Sequence, residues 1–278
     1  AQNDSSHPWR TIGRAAWGLP IRPSTAPRGS ATVPEAAQAG DLVFVQSGVY
    51  YVPGTGIRSE PSLSPVNSGS NGAPITFWAQ GEVVIRPEVF HSGTVRSAAS
   101  GSIQLAEAAS AQNDAYAGWY IRIVSGMGAG QSRYISLPQY RGEQNIREGS
   151  YNGGTRTAQL QQPWVITPNS TSLYELTKPG PLIGSIGKDY IVWNGFRVVE
   201  GDSYHADTGP VVVWDAHHVT LENLEIIGTL LPMHFDNHNG IRINNSDYTV
   251  VRNNIIHGFN VLDPNPDNKP QNSDAIIT

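Results

Sequence analysis

Three polar segments toward the carboxyl end of the chain hold most of its candidate catalytic and ligand-binding side chains. They span residues 200–209, 228–239 and 258–273 and are rich in Asp, Asn and His. Carboxylates clustered with Asn carbonyls suit a hard cation such as calcium. Carboxylates with His could also bind zinc, although the sequence has no HExxH-type spacing. The candidate cation ligands are Asp236, Asp263, Asp267 and Asp274.

Two cationic side chains near these segments are the candidate catalytic bases. Lys269 lies in the third segment and is one of only three lysines, against fifteen arginines, so its position stands out. Arg242 lies in the apolar run "GIRI" that follows the second segment. The candidate substrate-binding residues are His205, Asp207, His234 and His238. Each of these polar residues is also an ordinary turn or surface residue, and that interpretation stays open.

The apolar runs between the polar segments recur along the chain. Trp193, Leu221 and Val251 align at spacings of 28 and 30 residues. A second column consists of Val213, Ile243 and Ile277, at spacings of 30 and 34 residues. Each period holds three short strands and three turns, which predicts an all-β solenoid, a right-handed parallel β-helix. A β-sandwich is the alternative, although its antiparallel strands would alternate more regularly between apolar and polar residues.

Asparagines interrupt one strand in each of these periods. Asn194, Asn223 and the pair Asn253-Asn254 lie inside apolar runs, although Asn is depleted in strands. Asn tolerates the left-handed backbone conformation better than any residue except Gly. We therefore predict a sharp bend at each position, with side-chain amides that contact the Asn of the next coil.

The repeat predicts where the three polar segments lie. They occupy the same place in successive periods, so a coil stack would bring them to one side of the solenoid, about 5 Å apart per coil. Several carboxylates at that spacing repel one another unless a cation or protons offset their charge. The pattern therefore predicts a divalent cation site, with calcium as the first choice, and solvated, separate loops as the alternative.

The repeat is interrupted, which predicts three regions. Residues 1–91 hold a short amphipathic helix with Ile12, Ala15 and Ala16 on its apolar face, expected to cap the first coils. Residues 92–180 break the period and predict an inserted small antiparallel β module, in which Trp119 and Trp164 are interpreted as core residues, with stacking on a sugar as the alternative. Its strand candidates are 102–105, 119–124, 132–135 and 157–160. Residues 181–278 hold the remaining coils.

Composition excludes several classes of function. The net charge of −5 and the pI of about 5.9 leave no basic field for a nucleic acid. The chain has no cysteine, which excludes disulfides and thiolate metal sites. No run of ~18 apolar residues predicts a membrane span. The sequence stops at "DAIIT", inside a predicted core strand, so we expect further chain or another polypeptide to cover that end.

Several segments resemble a known group of proteins. "PWRTIGRAA", "AGDLVFVQSGVYY" and "NGAPITFWAQGEVVI" look like the opening of secreted carbohydrate-active parallel β-helix proteins, including polysaccharide lyases of the pectate lyase kind. The resemblance covers roughly residues 7–90 and 181–278. It implies an extracellular location and a polysaccharide as substrate. The inserted region is similar to small β modules of phage tail and cell-surface proteins.

Two short motifs that overlap the polar segments also resemble motifs of such proteins. "QNSDAII" resembles the "NADGF"-like calcium-binding stretch of β-helix pectate lyases through Asn272 and Asp274, with Ala275-Ile276 in place of Gly-Phe. "LDPNPDN" shares Asp263 and Pro264 with the Asp-Pro-His-Asp motif of alginate epimerases. The resemblance implies calcium as the cofactor.

The combined expectation is a calcium-dependent lyase that acts on an acidic, uronate-containing polysaccharide. β-Elimination requires that the uronate carboxylate is neutralised, that a base removes the proton at C5 and that the leaving oxygen is protonated. A glycoside hydrolase with paired carboxylates is one alternative. A non-catalytic glycan-binding surface protein or phage spike is the other.

Overall fold

A computed structural model describes residues 9–19, 33–55, 60–136, 150–200, 209–228, 238–259 and 273–278. The chain forms two compact units, Ala1–Pro87 with Gly180–Thr278, and Glu88–Pro179. The elements are α1 (Ile12–Trp17), β1 (Leu42–Val52), β2 (Ile75–Pro87), β3 (Val89–Thr94), β4 (Ser97–Ala99), β5 (Ser102–Gln104), β6 (Tyr120–Ser125), β7 (Ser132–Tyr134), β8 (Tyr151–Asn152), β9 (Thr157–Gln159), β10 (Leu173–Thr177), β11 (Ile183–Ile186), β12 (Ile191–Val199), β13 (Val211–Trp214), β14 (Thr220–Glu222), β15 (Glu225–Ile227), β16 (His238–Asn244), β17 (Val250–Arg252), β18 (Ile255–His257) and β19 (Ser273–Ile277).

The first unit consists of stacked parallel strands, which confirms the predicted β-helix. Its longer sheet, named sheet I here, has the order β1-β2-β12-β14-β17, and β15 pairs with both β12 and β18. Trp193 pairs with Leu221, and Leu221 pairs with Val251, so the predicted column is present. The second sheet, named sheet II, has the order β11-β13-β16-β19, and all its pairs are parallel.

The predicted register of the last strand is wrong by one residue. Val213 pairs with Ile243 as expected, but Ile277 pairs with Arg242, and Ile276 pairs with Ile241. Two adjacent isoleucines give the same apolar pattern in either register. Because side chains alternate between the two faces of a strand, a slip of one residue exchanges them.

The two neighbouring asparagines, Asn253 and Asn254, have different structural roles at the bend of sheet I. Asn253 adopts a left-handed conformation with φ of 55°, as Asn223 does one coil earlier. The amide of Asn254 instead binds the backbone of the preceding coil. Its Oδ1 accepts the N–H of Leu224 at 2.8 Å, and its Nδ2 donates to the carbonyl of Leu221 at 3.0 Å. The bend and the bond between coils therefore come from adjacent residues.

The core of the first unit runs between its sheets and is closed by the predicted helix. The ring of Phe77 stacks on that of Trp193 at 4.4 Å, and both side chains are fully buried. Helix α1 buries Ile12 and Trp17 in the same core and ends at Gly18, which has a φ of 70°. At the last coil, Val250, Ile255 and Ile276 are exposed. No helix among the described residues is both long and apolar enough to cross a membrane.

The second unit is built from antiparallel strands in two sheets, β3-β10-β6-β7 and β4-β5-β9-β8. Trp164 is buried and Trp119 packs against the same core, which confirms their interpretation as core residues. The guanidinium of Arg133 lies 5.4 Å from the centre of the Trp164 ring, and burial lowers the pKa of that guanidinium. Four of the eight strands described in this unit match the predicted strands to within one residue.

Replacing the coil-bridging asparagine will destabilise the fold. Asn254→Ala removes two hydrogen bonds to the backbone of the preceding coil, so we expect the free energy of unfolding to fall by about 2–3 kcal/mol, measured by urea denaturation. Asn253→Gly is the matched control, because Gly adopts the left-handed conformation without strain. Equal destabilisation by the two substitutions would contradict the assignment.

Candidate functional site

The strand pairing places the ends of the three polar segments side by side. The segments lead into β13, β16 and β19, which are neighbours in sheet II. Val211 pairs with Ile241, and His238 pairs with Ser273. Neighbouring strands of a sheet lie about 4.8 Å apart. The three segments therefore meet sheet II along the edge that is formed by the amino ends of these strands. This edge is named the segment edge below.

Most of the predicted site residues lie outside the described residues. These are His205, Asp207, His234, Asp236, Asp263, Asp267 and Lys269. His238 and Asp274 are placed by their strands, β16 and β19, at the segment edge. Their proposed roles in binding substrate and cation stay predictions.

Arg242 lies on β16 in contact with an aromatic ring of the neighbouring coil. Its side chain is half-buried, and the guanidinium carbon is 5.3 Å from the centre of the Trp214 ring on β13. A guanidinium over an indole face is attracted by the negative face of the ring. The contact therefore fixes the position of the Arg242 guanidinium. Trp214 was not predicted as a site residue, because an aromatic residue at the end of "PVVVW" is typical of core packing.

Asn239 is the buried polar residue at the segment edge. Its side chain is fully buried, yet neither Oδ1 nor Nδ2 has a hydrogen-bond partner within the part of the chain that the structure describes. A buried amide without partners costs about 1–3 kcal/mol and calls for an explanation such as a bound ion, ligand or water. Asn239 pairs with Asp274 on the next strand. Sequence reasoning missed it because an Asn beside a Gly is typical of a turn.

The described residues alone do not build a metal site. Within the described ranges, no group of three or more His, Cys, Asp or Glu side chains is close enough to hold a metal ion. A cation at the segment edge would therefore need ligands from the three polar segments. The oxygen of the Asn239 amide is a hard donor of the type that calcium prefers.

Carboxylates on the outer face of sheet I are engaged in contacts between coils. Arg197 lies between Glu82 and Glu225, at 3.2 and 3.0 Å, and Glu225 also contacts His257 at 3.1 Å. A second row of contacts joins Asn194, Glu222 and Arg252. Because each of these carboxylates already has a cationic partner, the rows are better suited to holding coils in register than to acid–base catalysis.

Lys188 does not replace Lys269 at the segment edge. It follows the carboxyl end of β11, whereas the segments meet the amino ends of the strands in sheet II. Its side chain is buried, and this burial lowers the pKa of the ammonium group, while the neighbouring carboxylate of Asp189 raises it. We interpret Lys188 as part of the packing at the turn between β11 and β12.

No family model and no curated protein matches the chain. Similar solved structures include XylC in complex with xylose, with 14% identity and a TM-score of 0.36, covering 91% of this chain and 51% of that one. The tailspike gp61 of Pseudomonas phage phi297 has 13% identity and a TM-score of 0.26, covering 77% and 37%. The tailspike gp49 of Pseudomonas phage LKA1 has 10% identity and a TM-score of 0.23, covering 77% and 36%. The chain spans about half of these proteins or less, and similarities of this size transfer no function to it.

The contact between Arg242 and Trp214 will appear as a coupling energy. In a double-mutant cycle with Arg242→Leu and Trp214→Leu, we expect the two losses of unfolding free energy to be non-additive by about 0.5–1 kcal/mol, measured by urea denaturation. Arg252→Leu with Trp214→Leu is the control cycle, because Arg252 binds Glu222 on the other sheet. A coupling of zero between Arg242 and Trp214 would contradict the contact.

Proposed function

We propose that this chain is part of an extracellular protein that binds an acidic polysaccharide along the segment edge of sheet II and cleaves it by calcium-dependent β-elimination. The observation that carries the proposal is the parallel register of β13, β16 and β19. Because three acidic segments meet one edge, a linear polymer that runs along the stack could contact all of them.

Arg242 is suited to binding the uronate carboxylate. Arg keeps its positive charge in proteins and presents a planar set of N–H donors that matches a carboxylate. The ring of Trp214 orients the guanidinium. Neutralising the substrate carboxylate makes the proton at C5 more acidic, which is the first requirement of elimination. With Arg242 in that role, Lys269 is the better of the two candidate bases.

Calcium fits the chemistry of the residues at this edge. When bound, it would supply further positive charge beside the uronate carboxylate. Its candidate ligands are Asp236, Asp263, Asp267 and Asp274. The Oδ1 of Asn239, which has no hydrogen-bond partner among the described residues, adds an oxygen donor at the base of the segments. The buried amide of Asn239 is the observation that supports an ion or ligand at this position.

The activity can be tested with polygalacturonate, alginate and chondroitin sulfate in the presence of calcium chloride. Elimination creates an unsaturated product that absorbs in the ultraviolet, and a parallel assay counts new reducing ends. We expect both signals with at least one substrate. Reducing ends without the absorbance would indicate hydrolysis, and binding without either signal would indicate a glycan-binding protein. Each of these results would contradict the proposed elimination.

Two substitutions on β16 test the proposed site. Arg242→Ala should lower the rate of cleavage about 100-fold, as expected when a group that stabilises developing charge is removed. Asn239→Ala should weaken calcium binding about 10-fold, measured by calorimetry. The control is Arg252→Ala, which removes an exposed arginine on sheet I. An equal loss of activity in that control would place the reaction elsewhere.

A further inference from the structure

A cavity lies at the first coil of the stack, beside the first strand of sheet I. It has a volume of about 610 Å³ and follows the edge of β1 over the consecutive residues 41–46. Strand β1 is the edge strand of the described sheet, paired on one side with β2. Helix α1 lines the other side of the cavity through Ile12 and Ala15. Its size is within the range of small-molecule binding sites.

The lining combines aromatic rings with side-chain amides. The aromatic residues of the lining are Trp9, Phe44 and Tyr50, and its amide and carboxylate residues are Gln46, Gln80 and Asp41. Gln46 and Gln80 are direct neighbours across the pair of β1 and β2, and both are exposed. Each amide offers two N–H donors and one carbonyl acceptor. Paired amides of this kind can bind adjacent hydroxyl groups.

The aromatic side extends out of the cavity onto the surface. Phe44 is about half exposed, and its ring lies 6.2 Å from that of Trp78, which is also exposed. An aromatic ring has a negative face that attracts weakly positive C–H groups, such as those on one face of a pyranose ring. The two solvent-exposed rings suit the apolar face of a sugar, and the paired amides beside them suit its hydroxyl groups.

The charge of the cavity favours a neutral ligand. Asp41 is the charged residue among the described residues that line it, and its Oδ2 accepts the backbone N–H of Gln38 at 2.7 Å. The second carboxylate oxygen can accept a hydroxyl hydrogen. The described lining residues include no cation, and a negative charge in that setting disfavours a uronate.

We propose that this cavity binds a neutral sugar unit, stacked on Phe44 and hydrogen-bonded by Gln46, Gln80 and Asp41. The site is separate from the segment edge and does not rest on the cleavage reaction proposed there. It would hold a neutral stretch or branch of a glycan at the first coil.

Calorimetry and saturation-transfer NMR with maltohexaose, cellohexaose and xylohexaose test this site on the whole chain. We expect at least one of them to bind at millimolar concentration or better. Phe44→Ala should weaken that binding at least about 5-fold, in line with the energy of an aromatic contact. Gln80→Ala should weaken it as well. Phe90→Ala is the matched control, because it removes another exposed phenylalanine, and it should leave the affinity unchanged.

Three outcomes would overturn the proposal. The first is that none of the neutral oligosaccharides binds the wild-type chain. The second is unchanged affinity in both Phe44→Ala and Gln80→Ala, with thermal unfolding confirming that both are folded. The third is that an extended peptide binds and the sugars do not, which would make the edge of β1 a strand-docking site. None of these outcomes bears on cleavage of polyuronates, so the two proposals fail separately.

Discussion

The register between successive coils is the constraint on which the rest of this structure depends. Each strand of sheets I and II pairs with the equivalent strand of the next coil, so a gain or loss of one residue would turn every side chain of a strand to the other face. Left-handed residues at the bends, such as Asn223 and Asn253, keep the coils aligned. The amide of Asn254 then ties the bend to the coil before it.

The same register decides which polar groups are available for chemistry. On sheet I it brings acids and bases of neighbouring coils together, so that Arg197 meets Glu82 and Glu225. These charges offset one another and are suited to holding coils in place. On sheet II it brings Arg242 over Trp214 and leaves the amide of Asn239 buried without a partner among the described residues. The functional proposal therefore rests on sheet II.

The parallel coils of the first unit could be predicted from the sequence because they are encoded by repeats. The column of Trp193, Leu221 and Val251 was visible because equivalent positions carry large apolar residues. The register of Ile277 was not, because its neighbour Ile276 gives the same pattern. The site was less predictable. The contact of Arg242 with Trp214 depends on two side chains that meet only after the coils stack, and the burial of Asn239 depends on residues far from it in sequence.

The proposed site depends on the register of sheet II, which disulfide formation between introduced cysteines can measure. The chain has no cysteine of its own, so pairs of cysteines can be introduced without interference. Partners on neighbouring strands lie about 4.8 Å apart, within the distance range of a disulfide. We expect rapid oxidation of Arg242→Cys with Ile277→Cys, and slow oxidation of Ile243→Cys with Ile277→Cys. The opposite order would contradict the register and with it the alignment of the three polar segments.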